Sequence, residues 1–367
     1  MKFKFYFNES KLYDFLQFPK LVFKKETIEK AQSENDIDIP MEENIKLINK
    51  ADENLKPFIK TIELFYSKQF ASSYDFIDLI TDTHTILGYE NEKNYFDMLM
   101  NLDEKQIFNS ISYSILASNE NNKYFSEEVM KKAEAISKTE LISIIKDLPT
   151  EPATKWNLFL MIEEPLKYMK MYVDLMYKLL PFFEEMYSSY ADEVKDYGRY
   201  FADFLNNLGS EGLKEISGSI LDKNIINDED NIVFITAIEQ YSVLISGTAK
   251  INYIAWGLKA EEYFKRLKEK NENKVNERVH IFKNLGDKTR YEVLKLLAAG
   301  VTSTKEIAKT LGVSSATISY HLSNLLKAKI IKSGISNDKY NYMVNYIFLK
   351  EVISGFKEDI GFPGTDL

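Results

Sequence analysis

Apolar residues recur at helical spacing along most of the chain, with breaks at proline, glycine and polar runs. The most apolar stretch is 155–190, where Ile162, Met169, Met176, Phe183 and Tyr190 return every seven residues. It predicts one or more long helices, kinked at the prolines at 165 and 181. Other predicted helices are 41–50, 53–70, 73–87, 92–101, 103–118, 126–147 and 192–207.

A second pattern, rich in β-prone residues, occupies part of 213–257. The runs Asn231–Ile238, Tyr241–Ser246 and Lys250–Trp256 predict a small antiparallel sheet. Phenylalanines alternate with other residues over Lys2–Phe7, which predicts a short strand. This strand is a candidate to join the same sheet.

The segment Ser303–Lys327 predicts two short helices joined by a tight turn. Ser303 is a good N-cap residue and Glu306 stands three residues later, which predicts a capping box. Gly312 can adopt the left-handed conformation that ends a helix. Ser314 can cap the second helix, and the predicted buried face of that helix is Ile318, Leu322, Leu325 and Leu326.

The other face of this second helix has short, neutral or basic side chains and no acid, whereas a solvated face would carry Glu–Lys pairs. Such a face is typical of the helix that a helix-turn-helix places in the DNA major groove. Serine can bond to any base edge, and an alanine methyl suits a thymine methyl. The predicted DNA-binding residues are Ser314, Ser315, Ala316, Thr317, Ser319, Tyr320, Ser323 and Lys327. Predicted phosphate contacts are Lys327, Lys329, Lys332 and Lys339.

The flanks of this segment predict a winged helix. Ile281–Ala298 is an amphipathic helix broken at residues 286–287, where Asp287 can cap the second part. Downstream, the β-prone runs Ile330–Ile335 and Tyr340–Tyr346 predict a hairpin with a polar tip. Helix, helix-turn-helix and hairpin in this order form a winged helix.

These patterns predict a mainly α protein with a small antiparallel β component. Residues 1–270 would form a large, mostly helical N-terminal body with a small sheet, serving as a sensor or dimerisation region. Residues 271–350 would form the winged helix-turn-helix DNA-binding domain, and 351–367 a C-terminal tail.

Two segments, LGDKTRYEVLKLL and LGVSSATISYHLSNLLKAKII, resemble the ArsR-type winged helix-turn-helix transcriptional regulators. The resemblance covers about a fifth of the chain, roughly 278–348. It rests on the box from Asp287 to Arg290, on Ser319-x-His321-Leu322 and on the hairpin, in the expected order. It implies DNA binding as a homodimer with dimer contacts around 278–298 and 348–359.

The net charge of −9 becomes informative when it is divided along the chain. Residues 278–350 hold 12 Lys and Arg against 4 Asp and Glu, whereas residues 1–277 hold 34 against 48. A basic module on an acidic body is expected if only the module touches phosphate.

No Arg lies on the recognition helix or in the hairpin, so bidentate guanine recognition is missing there. We therefore expect an AT-rich operator, read partly by shape.

Composition excludes several other functions. Cysteine is absent, which fits a cytoplasmic setting. The N-terminus lacks the apolar region of a signal peptide, and no run of 18 apolar residues predicts a membrane span. We find no phosphate loop, nucleophile elbow, zinc-protease motif or Rossmann fingerprint, so we expect no enzyme and no cofactor.

Several side chains allow two interpretations. His84 with Asp78 and Asp82 has helical spacing for a metal site, but a solvated acidic face is favoured, and no metal is expected. His321 is expected to pack rather than read bases, and Arg290 to pair within the module rather than bind phosphate.

The aromatic and methionine-rich stretch 156–190 predicts core packing, with an effector pocket or dimer seam as the alternative. The sequence thus favours a DNA-binding transcriptional regulator, most simply a repressor, with an unknown small-molecule or protein effector. The rival interpretation is a scaffold whose winged helix binds another protein.

Overall fold

The computed structural model describes residues 2–24, 42–66, 75–119, 126–221, 226, 229–247, 251–272, 274–336 and 339–362. The chain divides into two compact units. The first comprises Met1–Asn206 and Asp228–Ala260, and the second comprises Asn207–Asn227 and Glu261–Leu367. Each unit therefore takes residues from two separate parts of the chain.

The first unit is built mainly from helices. They are α1 (Phe7–Gln17), α2 (Glu42–Leu55), α3 (Ile59–Tyr66), α4 (Asp78–Thr81), α5 (Glu92–Met100), α6 (Glu104–Asn119), α7 (Glu127–Ala135), α8 (Lys138–Asp147), α9 (Pro152–Glu163), α10 (Pro165–Tyr187) and α11 (Ala191–Leu208), whose last two residues fall in the second unit. Short 3-10 helices cover Phe18–Phe23 and Lys56–Phe58. Among the described residues, no helix combines the length and apolar character needed to cross a membrane.

Local breaks divide some of the predicted helices. The predicted helix 126–147 is two helices, because Ser137 and Glu140 form a capping box that starts α8 afresh. Pro165 begins α10 rather than kinking a longer helix, as expected for proline at a first helical position. In contrast, α10 continues through Pro181.

The long helix α10 supplies much of the core of the first unit. Its heptad residues Met169, Met176 and Phe183 are each at most 2% exposed. The ring of Tyr172 meets that of Phe65 edge to face at 5.4 Å between centroids. Around it pack α2, α3, α5, α6 and α9. Core packing of this stretch is therefore confirmed.

The sheet of the first unit is mixed. Its strands are β1 (Phe3–Phe5), β2 (Asn231–Thr236), β3 (Val243–Gly247) and β4 (Asn252–Gly257), in the order β1-β2-β4-β3. The N-terminal strand joins the sheet, as the pattern indicated. However, β1–β2 and β2–β4 are parallel and only β3–β4 is antiparallel, so the predicted antiparallel arrangement is wrong for this sheet. The long helical segment between β1 and β2 lets the chain return in the same direction.

Side chains attach this sheet to α11. The side-chain oxygen of Asn206 accepts from the N–H of Phe3 at 2.9 Å, and its amide donates back to the Phe3 carbonyl at 2.8 Å. The buried indole of Trp256 donates to the Tyr197 hydroxyl at 3.1 Å. The outer edge of β1 is thus capped, which protects it from pairing with another strand.

The second unit contains the C-terminal elements of the chain. They are α12 (Ser210–Ile216), α13 (Ala260–Glu272), α14 (Lys274–Leu285), α15 (Lys288–Ala298), α16 (Thr304–Leu311), α17 (Ser315–Lys327), β5 (Ile331–Ser336), β6 (Lys339–Val344) and α18 (Tyr346–Asp359). The strands β5 and β6 form an antiparallel hairpin directly after α17. This is the predicted winged helix, and the mainly α fold is confirmed. Helix α18 extends into the segment predicted as a tail.

A separate apolar core lies within residues 281–352. Its fully buried members include Ile281, Val293, Ile307, Ile318 and Ile331, one from each of five successive elements. At about 1.5–3 kcal/mol for each large side chain buried, this core stabilises the arrangement of α14 to β5. The helices of the motif are therefore held by their own packing.

Candidate nucleic-acid interface

Three local features define α16, the turn after it and the start of α17. Ser303 Oγ accepts from the Glu306 N–H at 3.4 Å, although the return bond from Glu306 that would complete the predicted capping box is not formed. Gly312 ends α16 with φ of 67°, the left-handed conformation that glycine adopts without strain. Ser314 Oγ then accepts from the Thr317 N–H at 3.0 Å and starts α17. The N-caps at Ser303 and Ser314 and the turn at Gly312 are confirmed, whereas the capping box is not.

The buried face of α17 is the predicted one. Ile318, Leu322 and Leu325 are each at most 1% exposed, and Leu326 is half-buried. They belong to the core that also holds α15, α16 and the wing. Burial of this face fixes which side of α17 turns outward.

The predicted DNA-binding residues of α17 lie on its outward side or at its rim. Exposed positions are Ser314, Ala316, Ser319, Tyr320 and Ser323, and half-buried ones are Ser315, Thr317 and Lys327. The Tyr320 ring is 46% exposed and lies 5.5 Å from the His321 ring in an edge contact. Thr317 Oγ1 lies 2.7 Å from Ser314 Oγ, so this hydroxyl is already engaged in the cap.

The wing carries the remaining predicted contacts. Lys332 is exposed on β5 and is paired in register with Met343. Lys339 begins β6 opposite Ser336. The residues between these strand ends, 337 and 338, lie outside the described residues.

Lys329 differs from the other predicted phosphate contacts, because its charge already has a partner within the module. Its ammonium lies 3.3 Å from Glu277 Oε1 and 5.8 Å from the centre of the Phe348 ring. Its backbone has φ of 58°, which holds the chain in a sharp bend between α17 and β5. Lys329 thus joins elements of the module rather than offering a free charge to DNA.

Arg290 also serves the module. Its Nε donates to the Asn284 carbonyl at 3.2 Å and lies 3.9 Å from Asp287 Oδ1. Asp287 caps α15 by accepting from the Arg290 N–H at 2.8 Å. The structural role predicted for Arg290 is confirmed.

His321 is half-buried behind the outward face of α17. Burial lowers the pKa of its imidazole, with the positive charge of Arg290 acting in the same direction and Asp287 opposing both. Its Nδ1 is buried and has no hydrogen-bond partner among the described residues. A neutral, packed imidazole agrees with the packing role expected from the sequence.

Asn345 is a positioning residue that the sequence reasoning missed. Its amide donates to the Lys329 carbonyl at 3.0 Å, and its oxygen accepts from the Phe348 N–H at 3.4 Å. Its backbone N–H also donates to the Ile330 carbonyl at 2.9 Å. It therefore ties the end of the wing to the bend after α17. An asparagine just before an apolar helical run is an N-cap signal that could have marked it.

The charge around this surface favours an anionic partner. From residue 288 to residue 336 the chain holds eight Lys and Arg but only two acids, Glu292 and Glu306. Glu292 is paired with Lys295 at 3.0 Å. The outward side of α17 itself carries no acid, so a phosphate backbone can approach it without repulsion.

The metal site considered at His84 has no support in the geometry. His84 Nδ1 lies 2.9 Å from Thr83 Oγ1 and 3.2 Å from Ser110 Oγ. Asp82 accepts from the Ser114 hydroxyl at 2.8 Å. Within the described part of the chain, no three His, Asp or Glu side chains are grouped to hold a metal ion.

Comparison with known proteins matches this same part of the chain. A family described as a helix-turn-helix domain matches residues 285–334. The transcriptional repressor SdpR of Bacillus subtilis (strain 168) is 30% identical over 88 residues, which are 24% of this chain and 98% of that protein. The chain belongs to the winged helix-turn-helix transcriptional regulators. No solved structure matches it.

The match places the regulator's DNA-binding module in its C-terminal part. The matched range 285–334 includes α15 to α17 and the first strand of the wing. The first unit lies outside this range. The match therefore gives no information about the role of the first unit.

Proposed function

We propose that this regulator is a repressor of the ArsR type that binds an AT-rich operator as a homodimer and responds to an effector through its first unit. The observation that carries the DNA-binding part is the acid-free, outward side of α17 on a separately packed winged helix. The relative SdpR is a transcriptional repressor, which supports the sign of regulation.

Contact with DNA would be divided between two kinds of side chain. Ser315, Ser319 and Tyr320 would meet base edges in the major groove, where short side chains let the helix approach closely. Lys327, Lys332 and Lys339 would contact phosphates and set the register of the protein on the duplex. With no arginine at this surface, discrimination would come from thymine methyl contacts and from the shape of A·T-rich DNA.

A surface for a second copy lies on the first and last helices of the module. Val275, Val279 and Phe282 follow one side of α14 and are 57%, 62% and 37% exposed. Ile353 and Phe356 follow one side of α18 and are 51% and 38% exposed, and the Phe282 and Phe356 rings lie 4.9 Å apart. A contiguous exposed apolar surface of this kind is typical of a protein interface. A two-fold pairing here would present two α17 helices to successive major grooves.

The DNA-binding proposal is tested by selecting bound fragments from random duplexes and titrating salt against the best of them. We expect A·T-rich half-sites in a pseudo-palindrome, and an affinity that falls with a log–log slope of about −0.9 for each phosphate contacted. A selected site dominated by G·C pairs would contradict the operator composition. Absent or salt-insensitive binding would instead favour the protein-scaffold interpretation.

The homodimer is tested by sedimentation of the full chain and of Ile353→Asp. A carboxylate in the apolar surface should shift the full chain from dimer to monomer, because a buried unpaired charge is costly at an interface. Thr310→Asp, at an exposed position of α16, is the matched control. A wild-type chain that sediments as a monomer at concentrations well above those used for operator binding would contradict the homodimer.

A further inference from the structure

A partly enclosed cleft of about 380 Å³, counted with its opening to solvent, lies within the first unit. Its walls are formed by α1, by α4 and the turn after it, and by the sheet strands β2 and β4. Ligand sites in proteins are typically clefts with apolar walls and a few polar groups. The stretch 156–190, considered above as an effector pocket, contributes none of the residues that line this cleft.

Three aromatic rings form one wall of this aromatic cleft. Tyr13 stacks on Phe234 at 5.1 Å between ring centres and meets Tyr253 edge-on at 6.0 Å, while Phe234 and Tyr253 lie 5.3 Å apart. Burial raises the pKa of both tyrosines, so their rings are neutral phenols. The faces of neutral aromatic rings are electron-rich and attract cations.

Polar side chains, among them Asp78 and Gln17, line the same space. Asp78 is the one acid among the described residues that line the cleft, and its Oδ2 accepts from the Asp75 N–H at 2.9 Å. Gln17 is 9% exposed and also lines the cleft, so its amide can bond to a ligand there.

Acids outnumber bases around the aromatic cleft. Lys20 pairs with Asp75, and Lys24 pairs with Glu239. Burial lowers the pKa of Lys20, but the nearby charges of Asp78, Asp75 and Glu239 raise it above its ordinary value. These three carboxylates outnumber the two lysines, and the charge of Asp78 also contributes to the raised pKa of Tyr13 and of Tyr253. The cleft therefore has a negative potential that favours a cationic occupant.

We propose that the aromatic cleft binds a small organic cation, a protonated or quaternary amine with an apolar body. Its nitrogen would face Asp78 and the three rings, and its apolar part would lie against Leu16, Ile86 and Ile251. A single lining carboxylate is too few ligands for a metal ion, whereas it suffices for an ammonium group. An effect of this binding on operator affinity depends on the proposed function, whereas the binding itself does not.

The charge preference is tested on the intact chain without DNA by calorimetry. The probes are 2-phenylethylammonium and benzyltrimethylammonium, with neutral 2-phenylethanol and anionic 3-phenylpropanoate of similar size. We expect both cations to bind about tenfold or more tightly than the alcohol, and the anion to bind most weakly. Equal or tighter binding of the alcohol, or binding by none of the probes, would overturn the proposal.

Variants locate the binding site. Asp78→Asn keeps an oxygen that can accept from the Asp75 N–H but removes the charge, and should weaken cation binding about tenfold. Asp82→Asn is the matched control, since Asp82 lies four residues further on, bonds to Ser114 and does not line the cleft. Phe234→Leu keeps the wall apolar and should selectively weaken benzyltrimethylammonium. Unchanged cation affinity in Asp78→Asn would place the site elsewhere and overturn the assignment.

Operator affinity is measured separately, by anisotropy with and without benzyltrimethylammonium. A chain that binds operator but no cation refutes the aromatic cleft and leaves the DNA-binding proposal intact. A chain that binds the cation through Asp78 with no change in operator affinity supports the cleft but refutes its role as an effector site. The two failures are therefore distinguishable.

Discussion

Two lysines on either side of the start of the wing show how surroundings decide the role of a residue. Lys329 and Lys332 are three positions apart and are equally plausible phosphate contacts in the sequence. In the structure, Lys329 is held by Glu277 and lies near the Phe348 ring, whereas Lys332 is exposed on β5. A charge that already has a partner in the protein has less to gain from phosphate.

A matched pair of variants tests this difference. Lys332→Gln should weaken binding to all duplexes alike and reduce the salt slope by about one phosphate. Lys329→Gln should leave the salt slope unchanged and lower the midpoint of denaturant unfolding, because Glu277 loses its partner. Salt titrations of both variants on one operator check this. A reduced slope for Lys329→Gln would restore it as a phosphate contact.

The outward side of α17 leads to a second prediction. Ser319→Glu and Tyr320→Glu should each weaken specific binding about 10- to 100-fold, because a carboxylate would face phosphates and base acceptors. Both positions are exposed, so the variants should fold normally. The measurement is anisotropy on the selected operator.

Ser188→Glu, at an exposed position in the first unit, is the control for the added charge. It should bind operator nearly as wild type does. If Ser319→Glu and Tyr320→Glu both kept wild-type affinity, the base-reading side of α17 would have been assigned wrongly.

At the scale of elements, the helix-turn-helix was predictable because its determinants are local. The Asp287, Ser303 and Ser314 caps and the left-handed Gly312 each act within four residues of their own position. The direction of the β2–β4 pairing was not predictable, since period-two alternation is the same in parallel and antiparallel strands. Only the path of the chain between strands sets it.

Asn345 connects three elements and gives a prediction at this scale. Asn345→Ala should destabilise the module by about 1–2 kcal/mol, because α18 loses its cap and the Lys329 carbonyl loses a donor. Asn345→Ser keeps a cap oxygen but is too short to reach that carbonyl, so its loss should be smaller. Urea unfolding monitored by circular dichroism checks this. Equal losses in the two variants would mean that the contact with Lys329 carries the whole effect.

At the scale of the whole molecule, the basic charge of residues 278–350 and the acidic charge of the rest of the chain suit a regulator that contacts DNA through this module alone. The acidic remainder discourages non-specific contact with phosphate elsewhere.

The first unit also holds a carboxyl group that makes its stability depend on pH. Asp14 is fully buried and accepts from the Thr236 hydroxyl and the N–H groups of Ala237 and Ile238.

Burial raises the pKa of Asp14 from 3.8 to about 7, despite the opposing hydrogen bonds. The folded state then holds this proton where the unfolded chain has lost it. The contribution of Asp14 to the free energy of unfolding should therefore fall as pH rises from about 4 to 7, by at most about 1.4 kcal/mol per pH unit, and level off above. Urea unfolding midpoints across this range check the slope.

Asp14→Asn isolates the contribution of this group, because it cannot titrate. The difference in unfolding free energy between wild type and Asp14→Asn should change across this window and stay constant above it. Asp75, whose pKa burial also raises, titrates in both proteins and cancels in the comparison. A difference that does not vary with pH would show that Asp14 stays ionised in the folded protein.

The sequence alone determined the features that depend on near neighbours: the caps, the turn, the buried side of α17, the hairpin and the distribution of charge. These follow because helix periodicity and capping act over a few residues. Where distant segments meet required the folded chain. The β1–β2 pairing, the Lys329–Glu277 pair and the aromatic cleft join residues 52 to more than 200 positions apart, and no local pattern encodes such contacts.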